Sequence, residues 1–303
     1  MSELGLPWWL WILIIIIAAI CCWLIWCCKK RRRRRVILLF GYWPPTDIGI
    51  DTRHGMLWKW RTRQVNYRNS GYDVLAISPT FQNPLGWSDL ARTVPYWGKG
   101  TGQLQVDYRG TSQDFWMIVQ QHRPVAIMSF SRGSNDRSWE IEAGARNLRQ
   151  SDWILNLTYR DASSALQTTN WDQPYAGGGA SDPSPYQGRG AAADNPPDPS
   201  RAAGSRRDSN LPTTAIRDAV NAHFPIPPGS VVAAIDPSGN VGQFVSEFMA
   251  YHVAWYREYS QANLRPDEQC LYAGHTHVGV QVTAQDGEQA VEIQLNELLS
   301  VLP

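Results

Sequence analysis

The sequence predicts an α/β protein: a layered domain with a mostly parallel central sheet flanked by helices, preceded by one transmembrane helix. Three observations carry this. From residue 36 onward, short apolar runs bounded by glycine or proline alternate with stretches of helical periodicity. Alternating strands and helices build a sheet whose two faces are covered by the crossover helices. Separately, the 21 residues from Trp8 to Cys28 carry no charge, enough to cross about 30 Å of hydrocarbon as a helix.

The elements follow in order. Val36 to Phe40, ending at Gly41, reads as a buried first strand, and Tyr72 to Ile77 as a second. Asp114 to Gln121 is amphipathic at helical spacing, and Pro124 to Phe130 is a buried strand. Thr213 to His223 is a helix and Val231 to Ile235 a strand. Phe244 to Tyr259 is a helix rich in aromatics. Gln269 to Ala273 and Val278 to Val282 are strand-like, and Glu288 to Leu299 closes the chain as an amphipathic helix. From Gln173 to Asn210, Gly, Ala, Ser, Pro, Asp and Arg dominate without apolar periodicity, which predicts a disordered loop at about 173–210. The expected domains are an anchor with its polybasic flank at 1–35 and one α/β domain at 36–303, interrupted by that loop.

In the anchor, Trp8, Trp9 and Trp11 stand near one end and Trp23 and Trp26 toward the other, as interfacial anchors do. Lys29, Lys30 and Arg31 to Arg35 follow at once. Seven cations after the apolar run predict a single-pass membrane protein with its N-terminus outside and its main domain cytoplasmic. They also offer anionic lipid headgroups a partner. The whole chain is +1, but from Val36 onward 21 basic and 26 acidic residues leave −5. That balance argues against a nucleic-acid groove. Of five cysteines, Cys21, Cys22, Cys27 and Cys28 lie in the anchor. Cys270 stands alone in the remainder, so that part has no disulfide framework, as in a reducing compartment.

The chemistry concentrates in three segments: Glu140 to Asn147, Ser238 to Glu247, and Ala273-Gly274-His275-Thr276-His277-Val278. A glycine turn feeding an apolar helix, with a small nucleophile one turn in and a histidine on a later strand, is how a hydrolase brings nucleophile and base together. The order is acid, nucleophile, base, and the nucleophile position holds serine. Other readings stand beside this one. Ser246 is also suited to a helix face. Glu142 has the i,i+4 spacing to pair with Arg146 on a helix surface, and Glu140 is an alternative acid. Cys270 reads as a small buried hydrophobe. His275 and His277, alternate on a strand, share a face but bring no third clustered ligand, so no metal is expected, and no cofactor.

These segments resemble the pyroglutamyl-peptidase I family of cysteine peptidases. The family's Ser-Asn-x-Ala-Gly-x-Tyr-x-Cys-Asn falls on Ser238 to Glu247, which puts the nucleophile at Ser246 with Gly242 in register. Its Gly-Phe-Ile-His-Val falls on Gly274 to Val278, implying His277 as the base. Its Glu-x-x-Ala-x-Asn falls on Glu142, Ala145 and Asn147, implying Glu142 as the orienting acid. Gly41-Tyr42-Trp43-Pro44 resembles Gly-Phe-Glu-Pro, implying Tyr42 as one wall of a substrate pocket. The family's arginine would fall near Asp152, with Arg149 three residues away. The sequence departs from the family in holding a hydroxyl where the family has a thiol, and Pro45 where it has a second pocket aromatic. The resemblance implies a hydrolase that removes an N-terminal pyroglutamyl-like residue from a peptide substrate through Ser246, His277 and Glu142. Tyr42, Gly242 and Arg149 would then hold the substrate. The alternative is an inactive pseudo-peptidase that serves as a membrane-tethered binding domain.

Overall fold

The computed structural model describes residues 8–30, 34–41, 55–79, 103–104, 108–134, 136–148, 152, 158–160, 166–168, 201–224 and 230–303. The chain divides into two compact units, Met1–Arg34 and Arg35–Pro303.

The first unit is the helix α1, Trp8–Lys30. Its described side chains are almost all apolar and exposed, with Trp9 and Trp11 at 55% and Ile15 at 65%. Side chains of α1 are described only from Trp9 to Cys21. Among the described residues no helix is long and apolar enough to cross a membrane. The spanning helix expected over residues 8–28 therefore has no support among them.

The second unit is built on a six-stranded sheet. Its strands are β1 (Val36–Gly41), β2 (Asp73–Ile77), β3 (Ala126–Arg132), β4 (Ser138–Glu142), β9 (Val232–Asp236) and β10 (Tyr272–Val278), in the order β2-β1-β3-β10-β4-β9. Every pairing is parallel except β10 with β4. Two small antiparallel ribbons lie in between: β5 (Gly144–Arg146) with β8 (Arg206–Asp208), and β6 (Thr158–Arg160) with β7 (Leu166–Thr168).

Alternation along the strands sorts the core into two layers. Leu38, Phe40, Ile127 and Ala273 share one layer with Phe115 and Val119 of α2 (Tyr108–His122) and with Phe248, Tyr251 and Tyr256 of α4 (Val245–Asn263). Ile37, Leu39, Met128, Phe130, Trp139 and Ile141 share the other with α3 (Thr213–His223) and α5 (Ala284–Val301). This is the α/β layered architecture with a mostly parallel sheet that the sequence predicts.

Three differences from that reading matter. Gln269–Ala273 and Val278–Val282 are not two strands. The chain is continuously extended over Tyr272–Val278, so His275 and His277 sit inside β10 rather than between strands. Second, the segment Ser138–Glu142 is a strand, not a helix, so the i,i+4 spacing of Glu142 and Arg146 has no meaning here. Arg146 instead pairs with Glu247, at 3.3 Å. Third, the last ten residues of the expected loop are described: Arg206–Asp208 forms β8, and Arg207 is buried with its guanidinium on Glu258. The buried Arg207, paired with the half-buried Glu258, gives that polar stretch the anchor that apolar periodicity did not show. The rest of the loop, 173–200, lies outside the described residues.

Candidate active site

The site grows from one face of the sheet. In-register neighbours on adjacent strands point the same way. Reading across from β1, Phe40 faces Ser129, Ser129 faces His275, His275 faces Glu142, and Glu142 faces Asp236. One residue pair further on, Ser131 faces His277 and His277 faces Glu140. A row that begins apolar thus turns polar at β3 and acidic at β4. The second row lies near the carboxyl ends of the parallel strands β3 and β10, where open α/β sheets place their ligands.

Glycine lets the backbones close up around this face. A side chain at Gly274 would bring its Cβ to 2.4 Å from Ser209 Oγ and 2.5 Å from Leu211 Cδ1. Inside β10, a side chain at this position would therefore force Ser209 and Leu211 to shift.

His277 Nδ1 lies 2.7 Å from Glu142 Oε1. Both are buried, Glu142 at 1% and His277 at 8% exposure. Burial pushes the Glu142 carboxyl up to about 9, helped by Asp236, Glu140 and Glu247. Burial pushes His277 down to about 4, against the pull of Glu140, Glu247 and Asp236. Desolvation penalises the charged form of each, so at pH 7 the pair carries no net charge. With Oε1 accepting from Nδ1–H, the lone pair on Nε2 is free to take a proton.

His275 is held differently. Its Nδ1 lies 2.7 Å from Ser129 Oγ and its Nε2 2.8 Å from Ser131 Oγ. Ser129 donates to Gly274 O at 3.3 Å, so it accepts from Nδ1–H, and Ser131 donates to Nε2. Burial, then the neighbouring His277, hold His275 well below the ordinary histidine value. It is a neutral, fully bonded imidazole whose ring stands edge-on to His277 at 5.0 Å.

The turn before α4 is ordered by its own polar groups. Ser238 N and Oγ donate to Asp236 at 2.7 and 2.8 Å, and Asn240 N donates to Ser238 Oγ at 3.0 Å. Gly242 has φ +98°, a conformation that favours glycine. Glu247, fully buried in the first turn of α4, accepts from Gln243 N at 3.0 Å and from Arg146 N at 3.2 Å. Ser246 stands beside it, half-buried, and its Oγ donates to Val241 O at 3.1 Å.

The structure therefore brings Glu142 and His277 into contact and places Ser246 in the first turn of α4, its hydroxyl bonded to its own turn. Gly242 lies in that turn. Tyr42 and Arg149 lie outside the described residues. Cys270 is fully buried, and burial pushes its thiol up to about 12. Sequence reasoning reached Ser129 to Ser131 only as backbone amides for an oxyanion; it missed their hydroxyls, which fix His275, and Asp236, which reaches both Glu142 and the Ser238 turn. The alternation of two serines on an otherwise apolar strand was the available signal. A cavity of about 10 Å³ beside Glu142, Ser209 and His275 has room for about one water.

No protein-family model and no curated protein matches the chain. Solved structures do. Pyrrolidone carboxyl peptidase from Thermococcus litoralis is similar at 12% identity and TM-score 0.50, over 88% of this chain and 94% of its own. A mutant pyrrolidone carboxyl peptidase from P. furiosus is similar at 12% identity and TM-score 0.50, over 88% of this chain and all of its own. Pyroglutamyl peptidase I from Bacillus amyloliquefaciens is similar at 13% identity and TM-score 0.45, over 88% and 97%. At such identities the two likenesses at TM-score 0.50 speak for the fold alone, a mixed α/β fold with a mostly parallel sheet like that of those two structures.

Proposed function

We propose that the chain is an amide hydrolase that removes an N-terminal, pyroglutamyl-like residue from peptides. Ser246 is the nucleophile, His277 the general base and acid, and Glu142 the group that orients His277. The observation that carries this is the 2.7 Å contact between His277 Nδ1 and Glu142 Oε1 at the carboxyl end of β10. In the reaction, Ser246 Oγ attacks the amide carbon as its proton passes to His277 Nε2. The C–N bond breaks, the leaving amine takes that proton, and water then hydrolyses the acyl ester with His277 again as base. The first-turn N–H groups of α4, which have no acceptor within a helix, are suited to the oxyanion.

The apolar, exposed face of α1 and the seven cations that follow it support attachment of this domain to a membrane, on the cytoplasmic side. Recovery of the full chain in the soluble fraction after cell lysis would remove that part of the reading.

A second reading has its own observation. The Ser246 hydroxyl donates to Val241 O, and a serine needs its base at the moment of attack far more than a thiolate does. In that reading the domain binds a peptide terminus without cleaving it. Release of a chromogenic amine from N-terminal pyroglutamyl amides, abolished in both Ser246→Ala and His277→Asn, supports the enzyme. Saturable peptide binding without release supports the binding domain.

A further inference from the structure

We infer that Asp236 is a positioning residue: it ties the orienting acid Glu142 to the turn that carries Ser246, and it holds the Glu142 proton on the side away from His277. Its catalytic meaning rests on the proposed function; its geometry stands without it. Asp236 closes β9 and is the in-register neighbour of Glu142 on β4, so the two side chains share the face that also holds His277. The main chains are joined at the same point, where Ala143 N donates to Asp236 O at 2.9 Å.

On its other side Asp236 organises the turn. Its Oδ1 accepts from Ser238 N at 2.7 Å and its Oδ2 from Ser238 Oγ at 2.8 Å. Ser238 Oγ in turn accepts from Asn240 N at 3.0 Å. Asn240 Oδ1 accepts from Arg146, which pairs at 3.3 Å with Glu247, the residue after Ser246. One carboxylate thus stands between the acid of the site and a chain of bonds that ends in the first turn of α4.

The place of the proton follows from counting acceptors. Glu142 Oε1 accepts from His277 Nδ1–H. In a pair without net charge the carboxyl proton then sits on Oε2 and needs an acceptor other than His277. Asp236 is that acceptor, and its hydrogen bond is among the causes that raise the Glu142 carboxyl, after burial. When His277 Nε2 takes the Ser246 proton, the Oε2 proton passes to Asp236, and Glu142 meets the imidazolium as a carboxylate. The shift balances, since Asp236 becomes neutral as Glu142 becomes charged.

Asp236→Asn tests this. The amide keeps an acceptor for Ser238 N but offers Glu142 Oε2 an N–H in place of an acceptor, so Glu142 ionises. The groups that face His277 are Glu140 and Glu142 from β4, Asp236 from β9, Glu247 from α4 with its partner Arg146 from β5, and His275 from its own strand. Glu142, at 2.7 Å, is nearer than the charge removed, so the exchange favours the imidazolium. Imidazole ¹⁵N resonances of the full chain are followed against pH in wild type, Asp236→Asn, Ser238→Ala and the remote control Asp218→Asn, with His277 assigned by its loss in His277→Asn. The expected midpoint is about 4 in wild type and in both controls, and at least about one pH unit higher in Asp236→Asn. A midpoint that Asp236→Asn leaves unchanged or lowers overturns the inference, as does an equal rise in Ser238→Ala. Should Asp236→Asn not fold, carboxyl ¹³C resonances of the wild type decide, with Glu142 assigned by its loss in Glu142→Gln: a Glu142 carboxyl still protonated at neutral pH supports the inference, and an ionised one overturns it. The titration needs no turnover, so failure of the hydrolase reading leaves this test intact. If the hydrolase reading holds, the acid limb of kcat/KM in Asp236→Asn moves up in pH by the same amount.

Discussion

His277 Nδ1 contacts Glu142 Oε1 across a diagonal of the sheet, although the β4–β10 register sets His277 opposite Glu140 and His275 opposite Glu142. The diagonal is open because His275 is already held by Ser129 and Ser131 on the β3 side. That leaves Glu142 to the histidine one step further along. Geometry thus divides two neighbouring histidines into one that is locked and one that has a carboxyl behind it.

Glu142→Gln separates the two contributions of that carboxyl. The amide oxygen still accepts from Nδ1–H, but the group no longer titrates. In the wild type, a carboxyl raised to about 9 is favoured in the fold while protonated. Its stability contribution is therefore fully present below about pH 4.5 and is lost as pH rises toward 9. The Gln variant removes this slope in melting temperature against pH, and lowers turnover on the order of 10²-fold or more if the acid must stabilise an imidazolium.

His252 contributes to acid stability alongside His275 and His277, which burial also holds below the ordinary histidine value. His252 is fully buried, bonded to Phe248 O at 2.7 Å and Ser112 Oγ at 3.0 Å, between the rings of Phe115 and Phe248. Burial lowers its pKa to about 3. The unfolded chain then binds the extra proton first, so stability is full above about pH 6.5 and falls as pH drops toward 3. His252→Phe costs about 1–3 kcal/mol at neutral pH by stranding its two partners, and flattens the acid limb of a denaturation series between pH 6.5 and 4. An unchanged limb would assign the acid sensitivity elsewhere.

Gly274→Ala tests the close packing under the site. Its Cβ meets Ser209 Oγ and Leu211 Cδ1 well inside van der Waals contact. Overpacking of this kind costs about 1–3 kcal/mol, expected as a lower denaturant midpoint with an unchanged slope. A variant as stable as the wild type would show that the 209–211 segment yields freely.

Cys270 is expected to be chemically silent in the native state, since its thiol is buried and pushed up to about 12. Peptide mapping after iodoacetamide treatment should find it unmodified in the folded chain and modified in denaturant.

The sheet was legible where strands are apolar on both faces. Val36–Gly41 and Ala126–Arg132 read clearly because burial fills nearly every position. Ser138–Glu142 did not, since Glu140 and Glu142 alternate with Trp139 and Ile141, and carboxylates on a strand read as solvent-facing. The helix α5 was read late, at Glu288, because Gly287 interrupts its pattern. Gly287 is there because a Cβ would lie 2.9 Å from Met56 Cβ, and Thr283 caps the true start by accepting from Asp286 N. Motif spacing paired Glu142 with His277, and the two side chains are in contact at 2.7 Å. It could not show the hydroxyl of Ser246 turned to Val241, because that depends on the path of one turn rather than on residue type.

The most direct test is labelling of the full chain by a fluorophosphonate serine probe, with Ser246→Ala and His277→Asn beside it. The account predicts covalent labelling at Ser246 that disappears in both variants. Labelling of another serine, or none in a folded wild type, would contradict Ser246 as an activated nucleophile and leave the binding domain as the better description.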